Sequence, residues 1–192
     1  MEFRRISETD FRDAGTYVPV MVKDSFVRYA AARCIDRVEI TVAGDGESKT
    51  QTPPFYKDSV ERKNRYMMGA LVKLYLKMDY EPVENDDWLM SADDYDRWAG
   101  GHILNQIERM KSVPNLRNAA FDLLQDYKAL EKMLNTEVYN MLQVMNDPVT
   151  RFLASMQAQA TPEAMQQNLE ELGRLKEQFA ELGVARTTDA EE

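Results

Sequence analysis

The sequence predicts an all-α protein, with a compact N-terminal helical module followed by a long-helix hairpin or coiled-coil arm. Apolar residues recur at steps of three and four along most of the chain, which is the spacing of one face of an α-helix. No glycine or proline interrupts the longest of these stretches, residues 115–145. Elsewhere, glycines and prolines mostly lie between the periodic stretches, where they end or bend helices.

The long helix is predicted over residues 115–145. Its apolar stripe stays on one face for about eight turns. The intervening positions, Asp126 among them, are polar and are expected to face water. A helix of this length needs a partner along its stripe, from the same chain or from another copy. The stripe consists of Ala120, Leu123, Tyr127, Leu130, Leu134, Val138, Met141 and Met145.

Two partners fit this stripe. An intramolecular core is the default, and a contact between subunits is the alternative, because the two helices predicted after it are each too short to cover it. The last of them follows Thr161-Pro162 and ends at Gly183, and residues 184–192 are expected to be disordered. Residues 115–183 therefore form the predicted arm. Its interface residues are predicted to be Leu123, Tyr127, Leu130, Leu134, Val138, Met141, Met145, Leu169, Leu172 and Phe179.

The first part of the chain divides into an arm and a module. Residues 1–18 are predicted to be an N-terminal arm whose aromatic side chains dock elsewhere. Residues 19–113 are predicted to be the helical module, with a mobile polar loop at 43–54 that contains two glycines and two prolines. Residues 38–42 alternate as in a strand, but no second strand offers a convincing partner, so no sheet is predicted.

Three helices are predicted within the module. They cover residues 20–37, residues 56–78 and a stretch that begins at Ser91 and ends before Pro114. Gly69 in the second helix is expected to allow the close approach of another helix. Gly100-Gly101 in the third indicates a bend or a tight crossing.

The charge balance restricts the possible partners. The formal net charge is −9, which argues against nonspecific binding to duplex DNA or to an anionic membrane, because both would be repelled. The chain contains no apolar run long enough to span a membrane, and its first residues lack the apolar core of a signal peptide. Twelve methionines favour a role in packing or assembly, because flexible thioethers suit adaptable interfaces.

Acidic residues are concentrated between positions 79 and 96. The favoured interpretation is a solvated loop that leads into a helix N-terminus, where acidic side chains stabilise the helix dipole. A surface that contacts proteins or cations is the alternative, and catalysis by a carboxylate pair is a remote third. The residues of the candidate acidic surface are Asp86, Asp87, Asp93 and Asp94.

No pattern in the sequence points to catalysis. The chain has no glycine-rich phosphate loop, no Gly-x-Ser-x-Gly turn and no Cys–His pair. Cys34, the only cysteine, lies among alanines and is expected to be a small core residue. His102 is the only histidine, so the usual ligands of a zinc site are missing. The sequence therefore predicts a protein that is not an enzyme and holds no cofactor or metal.

The order of elements resembles that of small acidic helical proteins from the structural and assembly gene modules of tailed phages and prophages of Gram-positive bacteria. The matching segments are Cys34-Ile35-Asp36, the Leu-Tyr-Leu tract at residues 74–81, and Tyr95-Asp96-Arg97-Trp98 followed by Gly101 and Ile103. Residues 9–15 also resemble the openings of phage-encoded proteins. The resemblance implies a role in virion assembly, as a neck, connector or tail-associated protein or an assembly chaperone, and it transfers no site residues.

The predicted function is therefore that of a noncatalytic phage-type structural or assembly protein. It would act through self-association or contacts with other virion proteins, without direct contact to nucleic acid or membrane, in the bacterial host cytoplasm during assembly or in the virion. The alternative is an acidic inhibitor or nucleic-acid-mimicking binding module that blocks a host nuclease or defence complex. The acidic segment motivates that alternative.

Overall fold

A computed structural model describes residues 2–44 and 47–151 of the chain. By its internal contacts the chain divides into two units. One consists of Met1–Val38 and Tyr56–Val144, and the other of Glu39–Phe55 and Met145–Glu192. The fold is mostly helical, but it also contains two small antiparallel sheets. The expectation of a purely all-α fold is therefore wrong.

The N-terminal segment contains a short helix, α1 (Glu8–Arg12). Ser7 and Asp10 form a reciprocal cap at its start, because the Asp10 N–H donates to Ser7 Oγ and the Ser7 N–H donates to Asp10 Oδ2. Phe11 is buried in the core, as expected for docking of an arm, whereas Phe3 and Tyr17 stay exposed.

Helix α2 (Val20–Arg33) follows Pro19, and its buried residues include Phe26, Val27, Ala30 and Ala31. It ends four residues before the predicted boundary, because strand β1 (Ile35–Gly44) starts after Cys34.

Strand β1 has a partner strand, although none was predicted. It pairs with β2 (Glu47–Asp58), so most of the stretch predicted as a mobile loop at 43–54 is a strand. The prediction failed because β2 contains Pro53-Pro54, which lack backbone donors and are typical of turns. At the base of this hairpin the Ser59 N–H donates to the Cys34 carbonyl at 2.7 Å.

Helix α3 (Val60–Ala70) starts later than predicted, because residues up to Asp58 belong to β2. It continues into a π-helical turn, Leu71–Tyr75, in which the Leu76 N–H reaches back to the Leu71 carbonyl at 3.0 Å. Gly69 permits a close approach, as predicted, although the neighbour is a strand. A Cβ at Gly69 would lie 2.7 Å from the Trp88 carbonyl oxygen.

That strand is β4 (Asp86–Met90), which pairs antiparallel with the two-residue β3 (Pro82–Val83). The predicted third helix is two helices, α4 (Ala92–Gly100) and α5 (Ile103–Met110). The break falls at Gly100-Gly101, as predicted, and His102 after it has a left-handed backbone with φ of 53°.

The long helix α6 (Arg117–Asn146) forms where it was predicted, within two residues at its start and one at its end. Asn146 ends it, and Asp147 caps the next turn by accepting the Thr150 N–H at 2.9 Å. The helix predicted after Thr161 and the tail at 184–192 lie outside the described residues. Large buried side chains from all the helices of the first unit form the core, among them Phe11, Phe26, Tyr66, Trp98, Ile107 and Leu130.

Candidate protein-interaction surface

The predicted interface stripe of α6 lies largely inside this chain. Leu123, Tyr127, Leu130, Leu134 and Val138 are all buried, so the intramolecular alternative accounts for them. Met141 is half-buried against the core, and Met145 is half-buried. Leu169, Leu172 and Phe179 lie outside the described residues. A subunit contact through the arm at 115–183 stays a prediction.

A buried ion pair anchors α6 in the first unit. Lys23 Nζ of α2 contacts Asp126 Oδ1, and both side chains are largely excluded from solvent. The other carboxylate oxygen of Asp126 accepts the Tyr75 hydroxyl at 2.9 Å and the Val18 N–H at 3.1 Å. The π-helical turn carries Tyr75, and so it contributes a donor to this site. Asp126, expected to face water, instead joins four segments of the chain.

These contacts set the protonation states around Asp126. Burial opposes ionisation of the carboxyl group, but hydrogen bonds from Lys23, Val18 and Tyr75 outweigh that effect and hold its pKa below the ordinary value. Burial, with the hydrogen bond to a carboxylate, raises the pKa of the Tyr75 hydroxyl. The Asp126 carboxylate is therefore neutralised by the Lys23 ammonium group and accepts a hydrogen bond from the uncharged Tyr75 hydroxyl. An arrangement of this kind stabilises the fold.

The four predicted acidic-surface residues separate into two kinds. Asp87 and Asp93 are exposed. Asp94 is only 1% exposed, and its Oδ2 accepts the Glu81 N–H at 2.9 Å, while the Ser91 side chain caps the Asp94 N–H. The prediction of a four-carboxylate surface therefore needs correction, because Asp94 is buried and serves as the acceptor for the backbone N–H of Glu81, just before β3.

Asp86 also points inward. One of its oxygens accepts the Tyr66 hydroxyl and lies 3.7 Å from Arg33 Nε. The other accepts the N–H groups of Trp88 and Leu89, at 3.2 and 3.1 Å. Asp86 thus shapes the turn into β4 and ties it to α2 and α3, and it is not available to a partner.

Exposed apolar residues are instead concentrated at the start of α2. We call Tyr17, Val20, Met21 and Val22 the α2 patch. Met21 is 83% exposed and Val20 is 63% exposed, although each belongs to a type of side chain that is usually buried. Contiguous exposed apolar surface in a soluble protein commonly marks a contact with another protein.

A groove continues from the α2 patch along the helix. Its cavity volume is about 430 Å³, and Met21, Val22, Ser25, Phe26, Tyr29 and Trp88 line it. The Phe26 and Trp88 rings meet edge to face with their centroids 5.4 Å apart, which fixes the floor of the groove. The groove is therefore a preformed, mostly apolar surface that could receive an apolar side chain of a partner.

This surface was not predicted, although the sequence of α2 contains an indication of it. Apolar residues of α2 lie on more than one face, since Val20 and Met21 accompany the buried set Phe26, Val27 and Ala30. A helix that is apolar around most of its circumference requires cover on more than one side. The buried side faces the core, and the exposed apolar residues of the first turn belong to the α2 patch.

Cys34 and His102 occupy different environments. Cys34 is fully buried, as predicted for a small core residue, and burial raises the pKa of its thiol to about 12. His102 is exposed at the break between α4 and α5. Within residues 2–44 and 47–151, no group of three or more metal-ligating side chains comes together. No helix in that part of the chain is both long and apolar enough to cross a bilayer.

Comparison of the chain with known protein families, with characterised proteins and with solved structures finds no match.

Proposed function

We propose that this protein is a noncatalytic structural or assembly protein of phage type that acts through contacts with other proteins. The observation that carries the proposal is the α2 patch, an exposed apolar surface that opens into the groove over Trp88. The resemblance to phage structural and assembly proteins gives the biological setting, as a neck, connector or tail-associated component or an assembly chaperone.

The anchoring of α6 supports this proposal. The described part of the stripe that first suggested an interface is largely used inside the chain, so the α2 patch is the apolar surface left exposed there, and a contact through the arm at 115–183 stays a prediction. The α2 patch is presented on a framework fixed by the Lys23–Asp126 ion pair, which lies one residue beyond it. A rigid surface loses less conformational entropy on binding than a mobile one.

The rival proposal, an acidic inhibitor that imitates nucleic acid, has less support. Two of its four named carboxylates, Asp86 and Asp94, accept hydrogen bonds from their own chain. Only Asp87 and Asp93 stay exposed for a partner.

The test compares two double variants of the full-length protein. Val20→Glu with Met21→Glu places charges on the α2 patch, and Asn135→Glu with Gln143→Glu adds the same charge at exposed positions of α6. The readouts are the molar mass from size exclusion with light scattering and the presence of the protein in purified phage particles. We expect the wild type and the α6 control to oligomerise or enter particles, and the α2 double variant to lose that ability, because burying a carboxylate at an apolar contact is costly.

A wild-type protein that is a monomer and never enters particles would contradict the proposal. An α2 double variant that assembles as the wild type does would show that the α2 patch is not the contact surface.

A further inference from the structure

The N-terminal segment and the junction between α4 and α5 form a second concave surface. Two adjoining cavities, of about 730 and 550 Å³, share Phe3 and Arg5 in their walls. Arg4 and Arg97 line the first, and Arg109 lines the second. We call this surface the arginine cleft and define it by Phe3 with Arg4, Arg5, Arg97 and Arg109.

Backbone contacts hold the arginine cleft together. The Arg4 N–H donates to the Arg97 carbonyl at 3.0 Å, and the Ile6 N–H donates to Gln106 Oε1 at 2.8 Å. Gln106 Nε2 in turn donates to the Gly101 carbonyl at 2.6 Å. These hydrogen bonds fix the position of the N-terminal segment, and so they fix the backbone that carries Arg4 and Arg5.

Gly101 is required for this arrangement. A Cβ at position 101 would lie 2.0 Å from the Arg4 carbonyl oxygen, which no rearrangement of a flexible side chain could relieve. The next residue, His102, has a left-handed backbone. Backbone conformations of this kind at a concave surface often accompany function.

The arginines of the cleft are poorly neutralised by their own chain. The closest approach is that of Arg97 Nη1 to Asp94 Oδ1, at 3.9 Å. Arg4 lies over the Trp98 ring at 5.9 Å. Among residues 2–44 and 47–151, neither Arg5 nor Arg109 lies within 4.0 Å of a carboxylate. Glu2 is the single acidic residue in the walls. With Glu2 in the wall and Asp94 beside Arg97, four guanidinium groups face two carboxylates, which leaves a local excess of positive charge in a chain whose net charge is −9.

We propose that the arginine cleft binds a carboxylate-rich segment of a partner protein. Guanidinium groups pair with carboxylates through two parallel hydrogen bonds, which suits several arginines that converge on one surface. Phe3, which is 54% exposed, adds an apolar contact beside them. This inference rests on the proposed function, since it assigns the chemistry of one partner contact of an assembly protein.

A protein ligand fits the charge distribution better than a nucleic acid does. Single-strand binding proteins combine aromatic side chains with a basic groove that tracks about 4–16 nucleotides. Here the cavity walls contain four arginines, and α4, which carries Arg97, also carries the exposed carboxylates Asp93 and Asp96. A phosphate backbone that extended past the cleft would meet repulsion, whereas a short acidic segment would not.

The experiment measures binding of the full-length protein to a short fluorescein-labelled peptide of alternating Glu and Ala, by fluorescence anisotropy at low salt. The double variant Arg5→Glu with Arg109→Glu replaces two positive charges of the cleft by negative charges. The double variant Arg5→Gln with Arg109→Gln only removes the two positive charges. Lys128→Glu with Lys132→Glu is the matched control, since it changes the net charge equally at exposed positions of α6. A single-stranded oligothymidylate of equal charge and inorganic phosphate are the comparison ligands.

We expect the wild type to bind the acidic peptide with an affinity that decreases as salt is added. The charge reversal should weaken binding by about tenfold or more, and the glutamine variant by less. The control with Lys128→Glu and Lys132→Glu should weaken it by less than about twofold. Absence of peptide binding, or equal loss in the α6 control, would overturn the inference. Tighter cleft-dependent binding of oligothymidylate or phosphate would also overturn it, since the ligand would then not be a protein carboxylate. If the protein does not bind the peptide but still assembles through the α2 patch, the inference about the arginine cleft is wrong and the proposed function is unaffected.

Discussion

Asp126 shows how much of this fold depends on single side chains. It accepts hydrogen bonds from α2 through Lys23, from the π-helical turn through Tyr75 and from the segment before α2 through Val18. Removing one partner of a buried ion pair leaves the other charge uncompensated, which typically costs about 3–5 kcal/mol. The exposed pair of Arg28 and Asp24 on α2, by contrast, is of the kind that contributes about 1 kcal/mol or less.

The depressed pKa of Asp126 predicts an acid-sensitive fold. A carboxyl group whose pKa is lower in the folded state than in the unfolded state stabilises the fold above its unfolded pKa, near 3.8. That contribution is lost as the pH falls through the folded value. Asp126→Asn should therefore lower the free energy of unfolding at neutral pH by about 3–5 kcal/mol and flatten its decrease below pH of about 4.

The measurement is urea unfolding followed by circular dichroism across that pH range. Asp24→Asn is the control, since it removes an exposed carboxylate from the same helix as Lys23 and should leave the pH profile close to that of the wild type. If Asp126→Asn kept the full acid dependence, the carboxylates responsible would lie elsewhere.

At the scale of residues, the sequence predicted which apolar side chains are buried better than it predicted which charged side chains are buried. The apolar α6 residues Leu123, Leu130 and Leu134 are buried as their spacing predicted. Asp94 and Asp126 look the same in the sequence as carboxylates that face water. Their donors, Glu81 N–H, Val18 N–H and Tyr75, become neighbours only once the chain is folded.

Helix α3 packs closely against β4 at Gly69. Gly69→Ala would place a methyl group 2.7 Å from the Trp88 carbonyl and 2.9 Å from the Tyr80 hydroxyl. We expect a net loss of about 1–3 kcal/mol, because strand and helix must separate, despite the gain in helix propensity of about 1 kcal/mol. Thermal unfolding measures the change.

Gly15→Ala provides the comparison for that substitution. The nearest atom to a Cβ at position 15 is Lys77 Cε at 3.3 Å, which belongs to a flexible side chain. Its effect should stay within about 0.5 kcal/mol. A Gly69→Ala protein as stable as the wild type would mean that α3 and β4 are farther apart than described.

The errors at the scale of elements have local physical causes. Strand β2 was missed because its Pro53-Pro54 and polar residues are typical of loops, and pairing with β1 overrides that preference. The π-helical turn at Leu71–Tyr75 has the same apolar spacing as an α-helix over so few residues. The boundary at Gly100-Gly101 was predicted correctly, because glycine pairs allow the backbone to leave the helical conformation.

For the molecule as a whole, α6 serves as a wall of the core. Leu134 is 1% exposed, whereas Phe121 on the same helix is 54% exposed. Leu134→Asp should therefore lower stability by several kcal/mol, because it buries a charge without a partner. Phe121→Asp adds the same charge at a wet position and should cost about 1 kcal/mol or less.

Denaturant unfolding of the two variants distinguishes core from surface along one helix. An unchanged midpoint for Leu134→Asp would show that this position faces solvent. If both variants were equally destabilised, the effect would come from the added charge and not from burial.

The two surfaces that support the proposals could not be read from the sequence as surfaces. The arginine cleft combines residues 3–5 with residues 97–109, and the groove beside the α2 patch combines α2 with Trp88. Each brings together segments that are far apart in the chain. Periodicity reports which side of a helix is apolar, but the partner across the gap depends on the fold.

The position of the N-terminal segment has a consequence for synthesis. The hydrogen bond from Ile6 to Gln106 joins residues 100 positions apart, and that from Val18 to Asp126 joins residues 108 positions apart. At ribosomal speeds of about 5–20 residues per second, Ile6 and Val18 leave the exit tunnel roughly 5–20 seconds before their hydrogen-bond partners do. During that interval Ile6 and Phe11, which are buried in the folded protein, stay exposed, so this segment presents apolar side chains to chaperones until residues 106–126 have emerged.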